Sequence, residues 1–181
     1  MLRITVPATE LWDETANSFI PVEEQTLQLE HSLVSLSKWE SKWHKPFFSK
    51  EEKTNEETLD YIKCMTITQN VKPIVYRCLT QSNILDINNY IEDPMTATTF
   101  HNTPDKRTIN GEQITAELIY YWMITSSIPF ECQKWHLNRL ITLIRVCSVK
   151  SQPPKKMGKQ ELARNYAKMN ADRRAKYNSK G

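Results

Sequence analysis

The stretch HSLVSLSKWESKWHKPFF, residues 31–48, indicates the fold class of this chain. Together with the end of the preceding segment, it carries apolar side chains at intervals of three or four residues: Leu29, Leu33, Leu36, Trp39 and Trp43. That spacing places them on one face of a helix. Pro46 then ends the pattern, because proline cannot continue a helix. We therefore predict a helix from about Thr26 to His44.

Segments further along the chain carry helix signals of their own. Thr54 is followed three residues later by Glu57, the spacing of a capping box at a helix start. Two short helices are predicted over residues 70–93, with Asn70 and Asn83 as candidate caps. A central helix is predicted within residues 112–128, because it has a wide inward stripe: Ile114, Leu118, Tyr121 and Thr125, with Ile119 and Trp122 beside them. Residues 131–149 carry the most regular amphipathic pattern in the chain.

The two ends of the chain differ from this helical middle. Apolar pairs on either side of residues 13–18 predict an N-terminal β-hairpin over about residues 1–23. Residues 94–111, rich in proline and threonine, predict a long exposed loop. We expect a mainly α protein: a single helical domain over residues 1–149, opened by the hairpin, and a basic linker and tail helix over residues 150–181.

Charge is distributed unevenly along the chain. From Lys150 onward there are ten Lys and Arg residues against two acids, a net charge of +8. The remaining 149 residues hold fourteen basic and nineteen acidic side chains, a net charge of −5. Nucleic-acid binding through such a tail is an alternative. We consider it unlikely because the body is acidic and the tail has few aromatic residues. The basic residues singled out for partner contacts are Lys155, Lys156, Lys159, Arg164, Arg173 and Arg174.

The sequence gives little sign of catalysis or of a bound cofactor. Only three glycines are present, which disfavours phosphate-binding loops. Cys132 and His136 are four residues apart, but zinc sites usually show two such pairs. The four cysteines are expected to be reduced and mostly buried. We therefore expect no enzyme activity, metal or cofactor, and neither a signal peptide nor a membrane span.

The tryptophans point instead to protein packing or protein binding. Trp39 continues the leucine seam and is the better core candidate, whereas Trp43 sits among charged residues and is the better interface candidate. Aromatic and apolar residues close to this helix end, or in the loop over residues 94–111, form the predicted partner-binding patch: Trp43, Phe47, Phe48, Met95 and Phe100.

Several blocks of sequence resemble a family of small proteins encoded among the tail genes of tailed bacteriophages, several of which resemble tail assembly chaperones. The blocks are LEHSLVSLSKWESKWHKPF (29–47), LDYIKCMTIT (59–68), IEDPMTATTF (91–100), LIYYWMITSSIPFECQKWHLNRLITLIRVC (118–147) and PPKKM (153–157). The resemblance implies a mainly helical protein that coats the tape-measure protein while the tail tube polymerises.

Partners and location follow from the same resemblance. It implies binding to the tape-measure protein, with the tail-tube protein as a further candidate, in the host cytoplasm and not in the mature virion. Self-association into a homo-oligomer stays open. A structural virion component, such as a head–tail connector or tail adaptor, is the alternative function.

Overall fold

The computed structural model describes residues 1–13, 17–100, 108–109, 112–151 and 159–177. Two compact units are present, Met1–Ser148 and Val149–Gly181. The first unit combines an N-terminal antiparallel ribbon with helices, so the fold is mainly α, as the sequence predicts.

The chain opens with four short strands: β1 Leu2–Val6, β2 Thr9–Asp13, β3 Ser18–Val22 and β4 Gln25–Leu29. β1 pairs with β4 and β2 pairs with β3, both antiparallel and in the same register. Together they form one ribbon that is interrupted where Pro7 removes a backbone donor. The predicted hairpin is confirmed at β2–β3, but its boundary at residue 23 is wrong because β4 continues to Leu29.

β4 also overturns the predicted start of the first helix. Leu27 and Leu29 are both fully buried and alternate with less buried residues, as in a strand with one inward face. Helix α1 begins later and spans Leu33–Trp43, with Ser32 and Ser35 forming its capping box. It ends at His44, which adopts the left-handed conformation (φ 52°).

The next elements are α2 (Asn55–Met65), a 3-10 helix (Pro73–Cys78) and α3 (Gln81–Glu92). The capping box of Thr54 and Glu57 is confirmed at the start of α2. The predicted cap at Asn83 is wrong, since Thr80 caps α3 and Asn83 is the third helical residue.

The second half contains β5 (Thr108–Ile109), β6 (Glu112–Gln113), α4 (Ala116–Thr125), a 3-10 helix (Phe130–Lys134) and α5 (Leu137–Ser151). The inward stripe predicted for α4 is wrong at Tyr121 and Thr125, which are exposed. Ile119, predicted to lie beside the stripe, is buried together with Ala116 and Met123. Residues 94–100 form no helix or strand, and residues 101–107, 110 and 111 of the predicted loop lie outside the described residues.

Two hydrophobic clusters make up the core of the first unit. The first joins the ribbon to α2 and α3, and the second joins α4 to α5. α1 lies between them, because Trp39 packs into the first cluster and Leu33 and Leu36 into the second. The prediction of Trp39 as a core residue is confirmed, since only 1% of it is exposed.

The second unit contains α6, Lys159–Tyr177. Every side chain described in it, from residue 163 to residue 177, is exposed. No helix within the described residues has the length and apolar character needed to cross a lipid bilayer.

Candidate functional site

α4 is held in place by the buried carboxylate of Glu40 on α1. One carboxylate oxygen accepts the backbone N–H of Phe47, and the other accepts that of Ala116, both at 2.7 Å. Ala116 is the first residue of α4, so the negative charge also lies at the positive end of the helix dipole. Burial nevertheless raises the pKa of Glu40, with the two amide hydrogen bonds and the neighbouring Glu117 acting as smaller influences.

Apart from Glu117 and Thr125, every residue of α4 is apolar or aromatic, and the described residues bury only part of this helix. Its sequence, AELIYYWMIT, buries Ile119 and Met123, but Tyr121 is 59% exposed and Ile124 61% exposed. Tyr121 and Ile124 are three residues apart and therefore share one side of the helix. We call these two residues the α4 outer face. The exposed Glu117, four residues before Tyr121, lies on the same side of the helix. This side therefore combines two large apolar side chains with an acidic one, as a protein-binding surface with a polar rim does.

The surface beside the α4 outer face is also apolar, with an acidic edge. The ring of Tyr120 lies 6.4 Å from that of Phe130, and Phe130 is 53% exposed. The Tyr120 hydroxyl donates to the side-chain oxygen of Gln133 at 2.9 Å, which ties α4 to the following 3-10 helix. Two acidic residues are exposed nearby: Glu117, one turn before Tyr121 on α4, and Glu131, next to Phe130. Large aromatic side chains among charged neighbours are typical of protein interfaces.

Trp43, the first predicted contact residue, is half-buried on the first cluster. Its indole N–H donates to Asp60 at 3.0 Å, and the Lys42 ammonium binds the other oxygen of the same carboxylate. Burial alone would raise the pKa of Asp60, but the hydrogen bonds from Lys42 and Trp43 outweigh it, and the pKa is lowered. Trp43 is thus anchored to α2 and offers only part of its ring to a partner.

Phe47 and Phe48 are also half-buried and lie together, with ring centroids 5.6 Å apart. The ring of Phe47 packs on that of Tyr61, with the two centroids 4.2 Å apart, and Phe47 contacts both hydrophobic clusters. The Lys53 ammonium lies 4.1 Å from the centroid of the Phe47 ring. The structure therefore gathers Trp43, Phe47 and Phe48 around the end of α1, as a partly covered aromatic cluster.

Met95 and Phe100 occupy a different neighbourhood. Met95 is 37% exposed, and its N–H donates to the carboxylate of Asp93 at 2.7 Å. The ring of Phe100 lies 4.2 Å from the guanidinium carbon of Arg145 on α5. Of the predicted basic residues, Arg164, Arg173 and Arg174 are exposed on α6.

The remaining predicted basic residues have no described side chain. Lys155 and Lys156 lie outside the described residues. Lys159 is the first residue of α6, and its side chain is not described.

A buried histidine pair is a feature that sequence reasoning missed. The rings of His31 and His136 are 5.1 Å apart, and the two residues are only 2% and 6% exposed. His31 shares a 2.5 Å hydrogen bond with the hydroxyl of Tyr61, and His136 donates from Nε2 to the carbonyl of Tyr90 at 2.9 Å. The two histidines are far apart in sequence, so no spacing motif could have linked them.

The described residues offer little to hold a metal ion. No group of three or more histidine, cysteine or acidic side chains comes together among them. Cys64, Cys78, Cys132 and Cys147 are free thiols. Burial raises the pKa of Cys64 and Cys78, which reduces the thiolate fraction at these positions.

Comparison with known proteins gives no relative for this chain. No family model, no curated protein and no solved structure matches it significantly.

Proposed function

We propose that this protein is a non-catalytic tail assembly chaperone of a tailed bacteriophage, which binds the tape-measure protein in the host cytoplasm. The observation that carries the proposal is the α4 outer face, where Tyr121 and Ile124 are each more than half exposed on a helix whose other residues, apart from Glu117 and Thr125, are also apolar or aromatic. The sequence resemblance, which covers the chain from about Trp12 to the basic tail, supplies the identity of the client.

A tape-measure protein suits this face because it is a long helix with an apolar stripe. A helical client can lay its stripe against α4 in the helix-in-groove mode. Tyr121 provides a rigid, amphipathic contact of the kind enriched at interaction hot spots. Tyr120 and Phe130 extend the apolar area beside it.

Additional contacts are proposed for the residues singled out from the sequence. The partly exposed edges of Trp43, Phe47 and Phe48, with Met95 and Phe100, add contact area for the client. The basic tail, including Arg164, Arg173 and Arg174 of α6, binds acidic segments of the client or of a neighbouring subunit. The tail-tube protein and a second copy of this chain are further partners to test.

Release of the client requires each contact to be modest. Many weak contacts along one tape-measure protein bind tightly together, because each further contact is made at a high effective concentration. The same contacts can be replaced one by one by tail-tube subunits. The protein is then absent from the mature virion.

Co-expression with the tape-measure protein of the same gene cluster tests the proposal. We expect this protein to keep the tape-measure protein soluble and to co-purify with it. As a second test, mass spectrometry of purified virions measures whether this protein is retained in them. Recovery of this protein in the virion at a fixed copy number would support the structural-component alternative instead.

A further inference from the structure

The His31–His136 pair lies where the two hydrophobic clusters of the first unit meet. His31 precedes α1 at the end of the ribbon, and His136 immediately precedes α5. The N–H of Leu137 donates to the carbonyl of His31 at 2.7 Å, and Ser32 forms a β-bridge with His136. The histidine pair therefore joins the start of α5 to the junction between β4 and α1.

The hydrogen bond of His136 shows that its Nε2 atom carries a hydrogen. A carbonyl oxygen can only accept, so Nε2 carries the proton in the bond to Tyr90. The other ring nitrogen, Nδ1, is buried and has no hydrogen-bond partner among the described residues. A buried polar atom without a partner is unfavourable, so the closed junction carries a local energetic cost.

The titratable groups on the surrounding elements are already engaged. From α2, the Tyr61 hydroxyl binds His31. From α3, the Tyr90 hydroxyl donates to Glu30 at 2.6 Å, and the other oxygen of Glu30 lies 3.0 Å from the amino group of Met1. From α1, the Glu40 carboxylate accepts two backbone amides. The carboxylates of Glu30 and Glu40 are therefore already bonded to other donors.

We propose that the His31–His136 pair is an acid-sensitive latch, in which proton uptake by the His31 ring separates the start of α5 from the β4–α1 junction. At neutral pH this ring is neutral and the junction is closed. As the pH falls, the opened form gains protons that the closed form excludes. The second hydrophobic cluster, which contains α4 and α5, then loosens from the ribbon before the first cluster unfolds.

The direction of the pH effect follows from His31. Burial, followed by the proximity of His136, lowers the pKa of His31 to about 3 in the closed form. In the opened form the ring returns to its ordinary pKa of about 6.5. The stability of the closed form is therefore fully present above pH 6.5 and is lost as the pH falls towards 3. For His31 alone, the opened population rises about 30-fold between pH 7.5 and pH 5.

Amide hydrogen exchange of the full chain measures this opening directly. The reporter is the amide of Leu137, with the amide of Ile84, bonded to Thr80 in α3, as the internal reference. After correction for intrinsic exchange, we expect the protection of Leu137 to fall by about 30-fold or more between pH 7.5 and pH 5. Protection of Ile84 should change much less.

Two variants separate the latch from general acid sensitivity. The double variant His31→Asn/His136→Gln keeps side-chain amides near the bonded ring nitrogens but cannot titrate, so Leu137 should lose its pH dependence. His44→Asn changes an exposed histidine at a left-handed position that asparagine tolerates, and it should behave like the wild type. An unchanged pH dependence in the double variant, or an equal loss of protection at Ile84, would overturn the latch.

A pH titration of the wild-type protein, followed by the proton signals of the histidine rings, tests the latch without a variant. The ring proton signals of His31 should not shift between pH 7.5 and pH 5.5 in the folded protein, because its pKa in the closed form is about 3. A normal titration of the His31 ring without opening at Leu137 would contradict the proposal.

Discussion

Replacing Glu40 with glutamine should loosen α4, because this carboxylate holds backbone N–H groups from two different segments. Both bonds, to Phe47 and to Ala116, are 2.7 Å long. Glutamine keeps the shape of the side chain but has one acceptor oxygen, so its NH₂ group must face one of the two donors. A hydrogen bond to a charged group contributes about 1.5–3 kcal/mol, and the buried N–H left without a partner adds to the cost.

This loss of stability is partly offset in the variant, because glutamine no longer buries a charge. The raised pKa of Glu40 indicates that burying its carboxylate is unfavourable. We expect the free energy of unfolding to fall by about 2 kcal/mol. Urea denaturation at pH 7.5, followed by far-ultraviolet circular dichroism, measures it. Glu52→Gln changes an exposed acid and is the control. A Glu40→Gln variant within about 0.5 kcal/mol of the wild type would refute the structural role assigned to this carboxylate.

Three further predictions concern stability. Thr54→Ala removes the cap of α2 and should lower the free energy of unfolding by about 1 kcal/mol, measured by the same denaturation. Ile119→Ala leaves a cavity under α4 and should lower it by about 3 kcal/mol; a loss below about 1 kcal/mol would contradict the burial of this residue. Asp60 has a lowered pKa, since Lys42 and Trp43 outweigh the effect of burial. The stabilisation of the folded protein by the ionised Asp60 carboxylate is therefore present above about pH 4 and is lost as the pH falls further. Asp60→Asn should reduce the loss of stability between pH 5 and pH 3, and an unchanged acid profile would count against the Lys42–Asp60–Trp43 contacts.

The sequence predicts those parts of the fold that depend on local interactions. The Thr54–Glu57 capping box and the hairpin at β2–β3 involve residues close together in the chain, and both are found. The boundary between β4 and α1 depends instead on β1. Leu29, Leu33 and Leu36 fit a helical spacing, but pairing with β1 makes the segment ending at Leu29 a strand. Tertiary pairing here overrides the local pattern.

The site shows the same division between local and long-range information. The apolar character of α4 is evident from the sequence, but its rotation is not, because apolar residues occupy most positions around the helix and leave the inward stripe poorly defined. Tyr121 was therefore assigned to the core although it is exposed. The buried roles of Glu40 and of the His31–His136 pair depend on contacts with distant segments, which no local pattern encodes.

The central claim is that the α4 outer face binds the tape-measure protein, and the most direct test is the affinity of the double variant Tyr121→Ser/Ile124→Ser. The matched control is Leu85→Ser on α3, since Leu85 is 59% exposed, close to the 59% and 61% of Tyr121 and Ile124. With unchanged melting temperatures, the account predicts a dissociation constant at least about 30-fold weaker for the double variant, the loss of a hot spot of about 2 kcal/mol. The control should bind like the wild type. Equal affinity of all three proteins for the tape-measure protein would contradict the account.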